Sequence, residues 1–169
     1  PRNEIPIYLA AVNQRMVELA WEIADGVIFY LRPKNDIKLV LSKMQKQRKI
    51  DASIQIITSV NDDSERAITR AKKTLAFYVS VGKIYREFLA SNGFKNETEN
   101  IFEEYKNTGL QNNYELVPDS MINELCISGT PDECKKQLKQ FRETGIDLPI
   151  IQFNPTDSVQ ESFDLFTST

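Results

Sequence analysis

Four short apolar runs mark the chain, at positions 5–12, 26–31, 53–60 and 148–153, each rich in Ile or Val and nearly free of charge. Runs of this kind, apolar without strict alternation, are expected of parallel strands buried on both faces. Between them the apolar positions recur at helical spacing. From 14 to 24, Met16, Val17, Ala20, Ile23 and Ala24 make a stripe, and Gln14, Arg15, Glu18 and Glu22 make the wet face. A second helix is predicted over 36–49. A third begins after Val60, where Asp62 and Glu65 stand at capping-box spacing. It is expected to bend near Gly82 and to end at Asn92-Gly93, with Phe94 folding back on its last turn. Another starts at Thr130, since Thr130-Pro131-Asp132-Glu133 supplies a cap hydroxyl, a first-turn proline, early acidic charge and a reciprocal glutamate. It runs to Gly145, just before the last strand.

Strand and helix therefore alternate, which defines an α/β protein with a parallel sheet. The first two connections are compact, but the third, 61–147, is far longer and carries several helices. Its stretch 105–118 is polar and turn-rich and reads as loop. Two readings of this enlarged connection stay open: a lid or substrate wall, or helical packing with no ligand role.

Composition narrows the function. The chain has 169 residues, 41% apolar and 27% charged, enough for one domain (1–169) with a real core. A net charge of −3 offers no general attraction to nucleic acid or to acidic membranes. The local cluster Lys43, Lys46, Arg48 and Lys49 reads as a solvated helix face. No apolar run is long enough to span a bilayer, and no leader pattern is present. There is no histidine, so histidine triads and histidine metal sites are excluded, and Cys126 and Cys134 match no zinc pattern or disulfide framework. No metal is expected, and a reduced, cytoplasmic setting is the default. G-x-G-x-x-G, phosphate-loop and G-x-S-x-G motifs are absent. The first residue is Pro1, not Met, and a strand follows almost at once, as in a chain cut from something longer.

The candidate chemistry lies at the seam between the first strand and first helix. Asn13 is placed as N-cap with Gln14 at the first helical position. Ala10 and Ala11 bring small side chains to the carboxyl end of the strand, where a flat ligand could approach the backbone. Free N–H groups at a helix start bind phosphate well, so a plain cap and a phosphate cradle are both compatible with these residues. Arg32, beyond the second strand, lies at the same rim; it could contact an anion, or be a surface arginine satisfied by water or a carboxylate. Tyr30, Tyr78 and Tyr85 sit in apolar patterns that favour packing over proton donation.

The segment IPIYLAAVNQRMVELAWEIADGVIFYLRP resembles the middle of the luciferase-like flavin and deazaflavin oxidoreductases. That family's pattern of Ala-Ala-Leu-Gly-Pro-Arg-Met and then Ala-Asp-Gly is met by Ala10-Ala11-Val12-Asn13-Gln14-Arg15-Met16 and by Ala24-Asp25-Gly26. ERAITRAKKTLAFYV and ISGTPDECKKQLKQFRETGIDLPII extend the resemblance over most of the chain. It implies half of a (β/α)8 TIM barrel, strands five to eight, with the enlarged connection before the last strand and an N-terminal half as partner. It also implies hydride transfer on a small-molecule substrate with FMN or the deazaflavin coenzyme F-420, and a tendency to dimerise. The cofactor phosphate would lie against the backbone of Ala10, Ala11, Val12 and Asn13, then Gln14, with Arg32 at the rim. Asn-Gln replaces the family's Gly-Pro here: asparagine caps well, glutamine keeps an N–H that proline lacks, and both are compatible with anion binding. No catalytic acid or base is assigned. The alternative is a non-catalytic half-barrel scaffold that associates through its sheet edges.

Overall fold

All four predicted runs form strands of one parallel sheet in the computed structural model, which describes residues 5–167. They are β1 (Tyr8–Ala10), β2 (Gly26–Tyr30), β3 (Asp51–Val60) and, after a short additional strand β4 (Cys126–Gly129), β5 (Leu148–Phe153). The helices are α1 (Gln14–Ile23), α2 (Lys34–Met44), α3 (Ser64–Val81), α4 (Lys83–Leu89), α5 (Lys95–Thr108), α6 (Asp119–Leu125), α7 (Pro131–Arg142) and α8 (Val159–Thr167).

The long strand β3 organises the sheet. The N–H groups of Asp51 and Asn61 donate to the carbonyls of Asp25 and Gly129, whereas the Ala52 and Thr58 carbonyls accept from Asp147 and Asn154. Because successive backbone groups of a strand point to opposite edges, β2 and β4 share one edge of β3 in tandem and β5 takes the other. β1 pairs with β2 and continues the sheet outward.

Side chains alternate between the two faces. On one, Val27, Phe29, Ile54 and Ile56 pack with Val17, Ala20 and Trp21 of α1, Ile37 and Leu41 of α2, and Phe141 of α7. On the other, Ile57 and Cys126 meet a second core built by the enlarged connection, including Leu75, Val79, Leu89, Ile101 and Met121. The connection thus covers that face only toward the carboxyl end of the strands. Nearer their start the face is open, with Leu148 at 55% and Ile150 at 37% exposure.

Several local expectations are corrected. Trp21, not Ile23, completes the buried stripe of α1, with its indole N–H donating to the Arg48 carbonyl; Ile23 is exposed. α2 starts at Lys34, straight after Pro33, and stops at Met44; the Gln45 side chain then brackets the backbone of Ile50, donating at 2.8 Å and accepting at 3.1 Å. Lys43, Lys46, Arg48 and Lys49 are exposed, and the Arg48 guanidinium donates to the Trp21 and Glu22 carbonyls at the end of α1. The cap of α3 is Asp63, not Asp62: its carboxylate accepts from the N–H groups of Glu65 and Arg66. The expected bend is a break at Gly82, and Gly93, at φ 95°, marks the kink between α4 and α5. Helix α5 runs on to Thr108 and a 3-10 turn forms at Asn113–Leu116, so the predicted loop is short. The Thr130 capping box forms as expected.

Candidate functional site

The seam is built by a hand-over of hydrogen bonds. The Ala11 N–H still belongs to the sheet and donates to the Ile28 carbonyl at 3.0 Å. Two residues on, Asn13 adopts φ −90° and ψ 165°, its side-chain oxygen accepts from the Met16 N–H at 3.0 Å, and its carbonyl accepts from Val17. That is a full N-cap. The Gln14 side chain turns along the helix to Glu18 at 2.9 Å. Among the described residues no acceptor takes the N–H groups of Val12, Asn13, Gln14 or Arg15. These donors stand at the positive end of α1 and at the carboxyl end of β1.

The six residues singled out by sequence therefore separate. Val12, Asn13 and Gln14 line one cleft of about 470 Å³, together with Arg32, Asp36 and Phe88. Ala10 is exposed and shares a face with Ile28, opposite the α1 layer. Ala11 is 1% exposed in the core, and its bond to Ile28 leaves no N–H to offer a ligand.

Arg32 is not the surface residue that the simpler reading of the sequence expected. It is 3% exposed, with its guanidinium 4.8 Å from the centre of the Phe29 ring and 4.7 Å from that of Phe88. One terminal nitrogen pairs with the Asp36 carboxylate, the other donates to the Val12 carbonyl at 2.6 Å, and Nε is buried without a partner. Burial lowers its pKa, and Asp36 opposes that shift. Sequence reasoning missed Phe88 and Asp36. The i,i+4 spacing of Arg32 and Asp36 was a usable signal; nothing local pointed to Phe88.

Tyr30, Tyr78 and Tyr85 pack edge to face, with ring centres 5.2–5.8 Å apart. Burial, then its neighbour Tyr78, raises the Tyr30 phenol above its ordinary value. Close by, Arg70, Lys73, Phe77, Tyr78, Gln152 and Asn154 line a second cleft of about 410 Å³ between α3 and the end of β5. Cys126 and Cys134 are buried free thiols, and burial pushes both up to about 12. Among the described residues no acidic or cysteine cluster could hold a metal ion, and no helix is long and apolar enough to cross a membrane.

A parallel sheet covered by helices along one face and left open over part of the other, whose strand ends open on a helix start, is the layout of TIM-barrel-type α/β proteins, where ligands collect at the carboxyl edge. The chain belongs to the luciferase-like monooxygenase family, whose model matches residues 1–148. It is 24% identical over 154 residues to the 5,10-methylenetetrahydromethanopterin reductase of Methanolobus tindarius, covering 85% of this chain and 47% of that protein. Against the reductase of the same name from Archaeoglobus fulgidus the identity is 27% over 157 residues, with the same coverage of both. Its fold resembles the coenzyme F420-dependent tetrahydromethanopterin reductase of Methanopyrus kandleri, with a TM-score of 0.78 at 22% identity over 95% of this chain and 48% of that one. The chain thus spans about half the length of the relatives it matches.

Proposed function

We propose that this chain forms strands five to eight of a TIM barrel and supplies the cofactor-phosphate end of a flavin- or deazaflavin-dependent oxidoreductase acting on a small-molecule substrate. The row of unaccepted N–H groups at the start of α1, from Val12 to Arg15, carries this reading. Such donors, gathered at the positive end of the helix dipole, suit the phosphate of FMN or of F-420. The exposed Asn13 and Gln14 leave room for it, and the Gln14 side chain is held aside by Glu18.

When bound, the cofactor supplies hydride transfer; the protein contributes binding, orientation and exclusion of water. Val12, Asn13 and Gln14 would hold the phosphate through backbone donors. The second core of the enlarged connection, packed over the carboxyl half of the sheet, would form one wall of the substrate space. The open part of that same sheet face, bearing Leu148 and Ile150, and the outer edges of β1 and β5 would receive the remaining barrel strands. Relatives about twice this length support that assignment, and pairs of complete barrels are the expected assembly.

The test is a titration of the complete protein with FMN, riboflavin and F-420, read by fluorescence. Tighter binding of a phosphorylated cofactor than of its phosphate-free counterpart is expected. Absence of binding by any of them would leave a scaffold role and sink the oxidoreductase reading.

A further inference from the structure

We propose that Arg32 is a positioning residue for the phosphate cradle: it holds the Val12–Asn13 peptide in one orientation and ties that peptide to helix α4 of the enlarged connection. This rests on the cradle reading given above.

Both terminal nitrogens of Arg32 are engaged within the protein, and Nε, its one unpartnered nitrogen, is buried. One terminal nitrogen is spent on Asp36 and the other on the Val12 carbonyl, while Phe29 and Phe88 lie against the guanidinium. At 3% exposure its charge is met by a carboxylate and not by solvent. What it controls is a peptide plane. Val12 lies outside any strand or helix, so no ladder fixes its carbonyl. In a planar trans peptide the C=O and the following N–H point in opposite directions, and the chain contains no cis bond among the described residues. By gripping the Val12 carbonyl from the α2 side, Arg32 turns the Asn13 N–H away from itself. That N–H is one of the donors without an acceptor.

The grip has two independent supports. Asp36, in the first turn of α2, anchors one arm of the fork, and Phe88 of α4 lies 4.7 Å from the guanidinium. The enlarged connection therefore reaches the backbone of the seam through a ring and a guanidinium. Lysine cannot substitute, because a point charge on a flexible stem has neither the fork nor the plane to stack.

The readout is the affinity ratio between a phosphorylated cofactor and its phosphate-free counterpart, FMN against riboflavin or F-420 against its phosphate-free chromophore, measured on the complete protein. Arg32→Met and Arg32→Lys are both expected to lose roughly tenfold of that ratio, the scale of one charge-assisted hydrogen bond, while affinity for the phosphate-free form is kept. Loss in Arg32→Lys, which retains the charge, is the signature of fork geometry. Asp36→Ala is expected to lower the ratio as well; a raised ratio would mean that a freed Arg32 contacts phosphate directly, and would overturn the proposal. An intact ratio in Arg32→Met would overturn it too. Should Arg32→Met fail to fold, Phe88→Leu carries the test, with a several-fold loss expected and an unchanged ratio against the proposal. A wild-type protein with no preference for the phosphorylated form would remove the cradle reading itself, and this proposal with it.

Discussion

Replacing Asn13 by Asp and, separately, by Ala separates two jobs that the seam combines. The cap needs an oxygen to accept the Met16 N–H, now 3.0 Å from the Asn13 side chain. Aspartate keeps that oxygen and adds a negative charge at the helix start, so stability is expected to hold or to rise by about 0.3–1 kcal/mol. Alanine removes the acceptor and should cost about 1 kcal/mol. For a bound phosphate the order reverses. A new unit charge about 6 Å from a singly charged phosphate costs about 0.7 kcal/mol at the dielectric of water and about 2.8 kcal/mol at an effective dielectric near 20. Since Asn13 is exposed, an intermediate cost applies, about 1–2 kcal/mol, which weakens cofactor binding roughly 5- to 30-fold. Alanine leaves the backbone donors in place and should change affinity by less than about threefold. The assay pairs thermal unfolding with a cofactor titration at two ionic strengths. The aspartate penalty should shrink at high salt, because screening weakens exposed charge pairs. Wild-type affinity in Asn13→Asp would refute phosphate binding at the seam. A penalty that ignores salt would point to steric blockage instead.

Two further outcomes test the fold around the site. A Cβ at Gly26 would lie 2.3 Å from Cε1 and 2.5 Å from Cδ1 of Tyr8, whose hydroxyl donates to Asp51; Gly26→Ala should therefore cost about 1–3 kcal/mol in urea unfolding. The cost should vanish in a Tyr8→Ala background, and an equal loss in both backgrounds would rule out the clash. Glu133 accepts from the Thr130 N–H at 2.7 Å and from the Ser64 hydroxyl at 2.8 Å, bonds that hold its carboxyl below the usual value. With the folded value depressed, its contribution is present above the unfolded pKa near 4.3 and disappears as pH falls through the folded one. Glu133→Gln should thus be less stable by about 1 kcal/mol at neutral pH, with the gap closing in acid; a gap unchanged in acid would show that the carboxylate charge plays no part.

Much of the fold was legible in the sequence because its signals act over a few residues. The caps at Asn13 and Thr130 need only the next turn of chain. The Gly82 break and the Gly93 kink are likewise local backbone events. Apolar runs marked four strands because burial on both faces leaves its trace in composition. β4 left no such trace. It is short, its sequence Cys-Ile-Ser-Gly is weakly apolar, and it exists because the second half of β3 offers an unpaired edge. Asp63 displaced Asp62 as cap for a similar reason: the Asn61 side chain fixes the Asp63 N–H and so sets where the helix begins.

The site divides in the same way. Sequence alone placed Asn13 as cap, brought small residues to the strand end and put Arg32 near the rim. Only the tertiary structure decided which amides are available, since Ala11 is claimed by a partner on the neighbouring strand. It also decided that Arg32 is buried, because Phe88 arrives from a helix remote in the chain and shuts out water. Helix capping and apolar periodicity are short-range effects that each segment carries within itself. Strand pairing, aromatic stacking and burial depend on what a segment meets after folding, and that is settled by the packing of the whole chain.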